Sequence, residues 1–203
     1  MKPDNAIPDQ QQGYSSDVEQ HFDASTLREA HSVFVEVSRR LLTINKWKEI
    51  SGALSATFQL ADSKGIPLNR APKKGDLIRI DIPGPGTAAG NGYDWVRIES
   101  IDDNPNPDGD EESFIINVRP VSSPLNNEGD IAHFFDESAT STFMVKRSGL
   151  RVTASEHGRN EVPNKNVKRT ADKVRNTIVA SAGTSGLSSM QWNLLVQGLL
   201  KDL

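Results

Sequence analysis

The spacing of apolar residues changes twice along the chain. Behind Thr26-Leu27-Arg28-Glu29, which has the spacing of a helix capping box, apolar residues recur every three or four positions and predict an amphipathic helix. Its apolar stripe consists of Leu27, Ala30, Val33, Phe34, Val37, Leu41 and Ile44. The period then falls to two, which is typical of strands with one buried face. Near Val167 the helical period returns.

The alternating part of the chain predicts about six strands. The segments with a period of two are 54–60, 78–82, 96–99, 114–118, 143–146 and 150–155. Their connections lack the pattern of crossover helices, so the sheet is expected to be antiparallel. A two-residue turn at Ser148-Gly149 would pair Arg147 with Leu150 and Ser141 with Glu156.

The C-terminal part predicts two helices. The first has its apolar face at Val167, Ala171, Val174 and Ile178, and the second, with a capping box at 188–191, at Trp192, Leu195, Val196, Leu199 and Leu200. The predicted fold class is therefore α+β, with one curved antiparallel sheet packed by an N-terminal helix and C-terminal helices. Residues 1–22 are almost entirely polar and are expected to form a tail before a single domain at 23–203.

Composition narrows the possible chemistry. The chain contains no cysteine, which excludes disulfides, thiolate nucleophiles and cysteine-ligated zinc. A net charge of −4 does not indicate a polyanionic or polycationic partner. No signal peptide and no membrane-spanning apolar run is evident, so we expect a cytoplasmic protein that does not contact membranes.

The predicted order of elements resembles a known architecture. A helix, a meander of about six strands and C-terminal helices, with Trp47 after the first helix and a glycine-rich loop at Gly84-Pro85-Gly86-Thr87, is similar to the helix-grip fold of the START-like superfamily. That group includes polyketide cyclase-like and plant pathogenesis-related proteins. The resemblance covers roughly residues 26–200. It implies a cavity between sheet and helix that binds apolar or amphipathic small molecules, and it transfers no catalytic residue.

Glu156 is the main candidate for such a site. Alternation places it on the face of Val152 and Ala154, where burial would raise its carboxyl pKa unless Arg147 on the paired strand compensates it. A structural Glu156–Arg147 pair at the rim of the core is the simpler interpretation. The predicted ligand-binding residues are Arg147, Glu156 and Arg159 for a polar head group, with Trp47 and Trp95 lining the cavity.

Two other function classes stay open. One is an acid–base enzyme that uses Glu156 with His133 or His157. The other is an assembly protein that uses the N-terminal tail and the C-terminal helices. The sequence does not indicate an oligomeric state.

The remaining motifs favour no cofactor, metal or nucleic acid. The glycine-rich segment at 84–92 lacks a lysine and precedes a strand, unlike phosphate-binding loops. The acidic loop beginning at Asn104 resembles a calcium loop but has Ile115 where the bidentate glutamate belongs. Residues 145–175 carry an excess of basic residues without aromatics, so a basic face that pairs with acidic groups is preferred to nucleic-acid binding.

Overall fold

The computed structural model describes residues 6–52, 55–82, 87–125, 129–165 and 187–203. The strands in these ranges are β1 (Tyr14–Asp23), β2 (Thr57–Ala61), β3 (Leu77–Asp81), β4 (Asp94–Asn104), β5 (Glu111–Pro120), β6 (Thr140–Ser148) and β7 (Arg151–Glu161). The helices are α1 (Leu27–Leu42), α2 (Trp47–Ser51) and α3 (Leu187–Leu199), with a short 3-10 helix, Ile44–Lys46, before α2. The helix predicted around residues 167–178 lies outside the described residues.

The strands form one antiparallel sheet in the order β1-β7-β6-β5-β4-β3-β2. The six predicted strands correspond to β2 through β7, and each pairs with its neighbour in sequence as expected for a meander. The helices pack on one face of this curved sheet, which we call the inner face. The predicted α+β class is thereby confirmed.

Strand β1 lies in the segment that composition assigns to a polar tail. It pairs along its length with β7, from Asp23 opposite Arg151 to Tyr14 opposite Glu161. Val18 is its only fully buried residue. An edge strand is held mainly by backbone hydrogen bonds to its single neighbour and needs few apolar side chains, so low hydrophobicity is a poor guide to this strand.

The β6–β7 hairpin turns one residue later than predicted. Ser148 pairs with Arg151, so the two turn residues are Gly149 and Leu150. Gly149 has φ of 58°, a left-handed value that glycine adopts without the strain an ordinary side chain would incur. The pairing therefore moves by two residues relative to the prediction, and Glu156 lies opposite Phe143 instead of Ser141. A shift of two leaves every side chain on its predicted face.

One hydrophobic core joins the inner face of the sheet to the helices. The first helix begins at the predicted cap, where the Thr26 hydroxyl accepts a hydrogen bond from the Glu29 amide at 3.1 Å. The core contains Ala30, Val33, Phe34, Val37 and Leu41 of α1, Trp47 of α2, and Leu195, Val196 and Leu199 of α3. Burying each large side chain contributes about 1.5–3 kcal/mol, so this shared core fixes the helices against the sheet.

The outer face carries smaller clusters. Ala6 packs with Ile115 of β5 and Met144 of β6, which ties the segment before β1 to the back of the sheet. Another cluster surrounds Trp95. Among the described helices, none has the length and apolar character needed to span a membrane.

Candidate functional site

A cavity lies between the inner face of the sheet and the helices. Its described walls are mostly aromatic and aliphatic: Trp47, Phe58, Ile78, Ile80, Val96, Val118, Pro120, Phe134, Phe135, Ala139, Phe143 and Trp192. The polar residues of the wall are His133, Thr140, Ser141 and Glu161. An apolar cavity with a few polar groups is the usual form of a small-molecule site.

Four aromatic rings pack around one another in this wall. The Trp47 ring lies 5.2 Å from that of Phe58 and 5.1 Å from that of Phe143, between ring centroids. Trp192 of α3 approaches Phe143 edge-on at 5.0 Å and Phe58 at 6.0 Å. Three of these residues are fully buried, whereas Trp192 retains partial exposure. Trp192 is therefore the aromatic wall residue that also meets solvent.

The cavity is narrow. Its volume is about 20 Å³. That is room for about one water molecule. A larger ligand requires the walls to move apart.

Strand β7 places Glu156 in the inner face of the sheet and Glu161 in the cavity wall. Between Gly158 and Glu161 the strand contains one more residue than the opposing part of β1, and Asn160 has φ of 55°. Such a bulge re-aims the side chains that follow it. Glu161, five residues after Glu156, thereby reaches the cavity wall, where strict alternation would have placed it on the outer face.

Glu156 is completely buried, and neither of its carboxyl oxygens has a hydrogen-bond partner within the described ranges. It lies between Val18 of β1 and Phe143 of β6 in the sheet. Burial raises the pKa of this carboxyl well above its usual range, and the nearby charge of Glu161 raises it further. The Ser141 hydroxyl lowers the pKa by less. Glu156 is thus a buried carboxyl that keeps its proton to a higher pH than an exposed glutamate does.

Glu161 lines the cavity and is only 4% exposed. Burial raises its pKa to about 7, although a hydrogen bond from Ser16 and the charge of Arg159 act in the opposite direction. The Ser16 hydroxyl donates to Glu161 Oε1 at 3.2 Å. Gly158 makes room for this contact, because a Cβ there would overlap both Glu161 Oε1 and Ser16 Oγ.

Arg147 does not compensate Glu156, contrary to the prediction. It lies opposite Glu112 of β5, and its Nε donates to the Glu112 carboxylate at 2.5 Å with both side chains buried. His31 Nδ1 of α1 contacts the same carboxylate at 2.9 Å. Burial alone would raise the pKa of Glu112, but the hydrogen bonds from His31 and Arg147 together lower it. This cluster closes the other end of the sheet and lies apart from the cavity wall.

Arg159 and His157 belong to the outer face of β7. Arg159 Nη2 donates to Asp17 Oδ1 at 2.8 Å, and its Nη1 donates to the carbonyl of Ser16. His157 Nδ1 contacts the same Asp17 oxygen at 2.5 Å, while its Nε2 lies 3.0 Å from Ser155 Oγ. Neither Arg159 nor His157 lines the cavity.

The other predicted site residues divide between the two faces. Trp47 lines the cavity, whereas Trp95 is buried on the outer face with Ala61 and Leu77. His133 is in the cavity wall, where its Nδ1 accepts a hydrogen bond from the Phe135 amide at 3.0 Å. The structure thus brings His133 to the same cavity as Glu161, a residue that strand alternation does not single out.

The acidic β4–β5 loop is organised around a protein cation. The carbonyls of Asn106 and Gly109 accept hydrogen bonds from Arg147 Nη2 at 3.0 and 2.6 Å. The predicted pairing of basic and acidic groups within the chain is found here, and also where Arg151 binds Asp23. In the described ranges, no three His, Asp or Glu side chains are grouped so as to hold a metal ion. Of the glycine-rich segment, residues 83–86 lie outside the described ranges, and β4 follows it as predicted.

Comparison with known proteins gives similarity of structure only. No protein-family model matches the chain, and no curated protein matches it. Among solved structures, it is similar to norcoclaurine synthase from Thalictrum flavum with a TM-score of 0.41 and 10% identity, over 93% of this chain and 88% of that chain. The major latex-like protein 151 from Panax ginseng gives 0.37 and 11%, over 85% and 96%. A protein from Staphylococcus epidermidis gives 0.39 and 14%, over 97% and 94%. Similarities this low say nothing about function.

Proposed function

We propose that the chain binds a small amphipathic molecule in the inner-face cavity, with its apolar part against Trp47, Phe58 and Phe143. The observation that carries this proposal is the composition of the wall: an aromatic surface that ends at Glu161 and at hydroxyls of Thr140 and Ser141. The Thr140 hydroxyl in this wall is buried and has no hydrogen-bond partner among the described residues. Buried polar groups of this kind are costly, and a ligand that bonds to them removes that cost.

Binding requires the cavity to widen. Trp192 is the natural residue to move, because it is partly exposed and its α3 backbone lies on the helical side of the cavity. Displacing one aromatic side chain that touches Phe58 and Phe143 opens the space between helix and sheet without altering the strand pairing.

The direct test uses the neutral fluorescent probe N-phenylnaphthylamine and native mass spectrometry of freshly purified protein. We expect saturable probe binding, and we expect any molecule retained through purification to compete with it. Val118→Phe introduces a ring at the cavity wall and should abolish binding. The matched control is Val121→Phe, the same change on the outer face, where Val121 packs against the Trp95 cluster.

Both variants must first give the circular dichroism spectrum and cooperative unfolding of the parent. Equal probe binding by folded Val118→Phe and Val121→Phe proteins would show that the probe binds elsewhere and would refute a cavity site. Failure of the parent protein to bind the probe or retain any molecule would also count against the proposal.

The geometry gives less support to the alternative function, an acid–base enzyme that uses Glu156 with His133 or His157. Glu156 and His157 are adjacent on β7 and point to opposite faces, and His157 is engaged by Asp17 and Ser155 on the outer side. Glu156 is also not part of the cavity wall. A binding function needs only the cavity and its polar end.

A further inference from the structure

We propose, on the basis of the proposed binding function, that the ligand is an organic cation: a protonated amine on an aromatic or aliphatic body, with its ammonium group at Glu161 and its body among the aromatic rings. The polar end of the cavity contains one acid, Glu161, which receives one described hydrogen bond, from Ser16. An ammonium group supplies three donors and a positive charge to such a site.

The described part of the chain places no Lys or Arg side chain in an ion pair at this end of the cavity. No ion pair joins Glu156 or Glu161 to a Lys or Arg side chain in the part of the chain that the structure describes. Arg159 is the basic residue nearest in sequence, but its guanidinium is held on the outer face by Asp17. The described residues therefore offer Glu161 no basic ion-pair partner, and a bound ammonium group would take that place.

In the described part of the chain, the other groups near Glu156 and Glu161 leave this balance unchanged. Asp17 on β1 adds negative charge, and Arg159 offsets part of it. On the helical side, α3 contains no ionisable residue over Leu187–Leu199. Across the cavity, His133 uses Nδ1 as an acceptor for a backbone amide. The environment thus favours a cation over an anion, because an anion would be buried beside two acids.

The aromatic walls act in the same direction. Trp47, Phe143 and Trp192 line the same cavity as Glu161 and contact one another. Ring faces attract cations by about 0.5–2 kcal/mol depending on desolvation. A cation with an apolar body can therefore use the ring faces and the carboxyls together.

Cation binding at this site must release protons. With a pKa of about 7, Glu161 is about half protonated in the free protein at neutral pH. An ammonium ligand stabilises the ionised carboxylate, so the acidic proton passes to buffer as the ligand binds. Affinity should consequently rise about tenfold per pH unit below pH 7 and level off above it, provided the ligand amine stays protonated.

The experiment compares three probes with the same aromatic body: phenethylamine, phenylethanol and phenylpropionate. Isothermal titration calorimetry on the full chain, in two buffers of different ionisation enthalpy, gives affinity and protons released. We expect phenethylamine to bind most tightly, with proton release, and phenylpropionate to bind most weakly. Glu161→Gln should weaken phenethylamine binding by roughly tenfold to a hundredfold while leaving phenylethanol binding nearly unchanged.

The variants separate this proposal from the binding function. Glu156→Gln tests the second acid, and Glu19→Gln, an exposed carboxyl on the outer face of β1, should leave binding and proton release unchanged. If phenylethanol binds as tightly as phenethylamine, or no proton is released, the cation proposal is overturned and the cavity site stands. If none of the three probes binds at millimolar concentration, both proposals are overturned.

Discussion

Glu156 lies directly opposite Phe143 in the β6–β7 pair, so that an unpaired carboxyl occupies a position in the apolar inner face of the sheet. Val18 flanks it on the β1 side. A glutamate with no bonding partner among these neighbours destabilises the fold when ionised, and its pKa is therefore raised. The first prediction concerns the pH dependence that results.

The stability of the protein should fall as pH rises through neutrality. The folded-state pKa of Glu161 is about 7 and that of Glu156 is raised well above the ordinary value, so the native state binds more protons than the unfolded chain. Their contribution is complete below the unfolded value of 4.5 and is lost as pH rises through the folded value. For Glu161 alone the difference is about 3 kcal/mol.

Replacing either glutamate by glutamine should reduce this dependence of stability on pH. We expect Glu161→Gln and Glu156→Gln to leave stability little changed at pH 5 and to raise it at pH 8, measured by urea unfolding. Glu19→Gln serves as the control with an exposed carboxyl. Parallel stability-versus-pH curves for the parent and both variants would contradict the assignment.

A methyl group at Gly158 should change the acidity of the cavity. The added Cβ of Gly158→Ala overlaps Glu161 Oε1 and Ser16 Oγ, which are ends of side chains, so they should move while the strand stays in place. Loss of the Ser16 hydrogen bond then raises the pKa of Glu161 further, because that bond lowers it in the parent. Carbon-detected NMR titration of the Glu161 carboxyl measures the shift.

Ser16→Ala is the matched variant, since it removes the same hydrogen bond without overlap. Both variants should shift the Glu161 titration in the same direction. An unchanged titration in both would mean that Ser16 does not act on this carboxyl.

Arg147 should be essential to the fold because it neutralises a buried carboxylate. Arg147→Met leaves Glu112 buried without its guanidinium partner and should cost about 3–5 kcal/mol of unfolding free energy in urea. The double variant Glu112→Leu with Arg147→Met should recover much of that loss, since no buried charge is left. Arg151→Met removes an exposed pair with Asp23 and should have little effect. Equal effects of the two arginine variants would disprove the burial argument.

Asn160 should hold the segment before β1 against the sheet. Its Oδ1 accepts hydrogen bonds from the amides of Gln11 and Gln12 at 2.7 and 3.1 Å, and its Nδ2 donates to the Asp9 carbonyl. Asn160→Ala and Asn160→Gly should both accelerate hydrogen exchange at these two amides. Only the alanine variant keeps a strained side chain at φ of 55°, so it should be less stable than the glycine variant by about 1 kcal/mol. Exchange rates equal to those of the parent would show that Asn160 does not hold the segment before β1.

Local patterns predict much of this fold. The Thr26 cap, the alternating strands and the apolar stripe of α3 all arise from interactions between residues near in sequence, which spacing reveals. The inward position of Glu156 was also predictable, because a turn misplaced by two residues does not change which face a side chain occupies.

The candidate site was harder to predict because its parts depend on distant or irregular contacts. Arg147 of β6 pairs with Glu112 of β5. Alternation predicts which face a side chain occupies but not which residue lies opposite it on the neighbouring strand. Glu161 enters the cavity only through the β7 bulge, and the one local sign of that bulge is an asparagine, which tolerates a left-handed conformation better than most residues. Strand β1 was missed because backbone pairing, rather than apolar content, places it at the edge.

The bulge at Asn160 also links the two sides of the sheet mechanically. The same residue grips the N-terminal segment on the outer side and, through its left-handed backbone, turns Glu161 toward the cavity on the inner side. We therefore expect a change in residues 9–12 that alters the Asn160 backbone to move the Glu161 carboxyl as well.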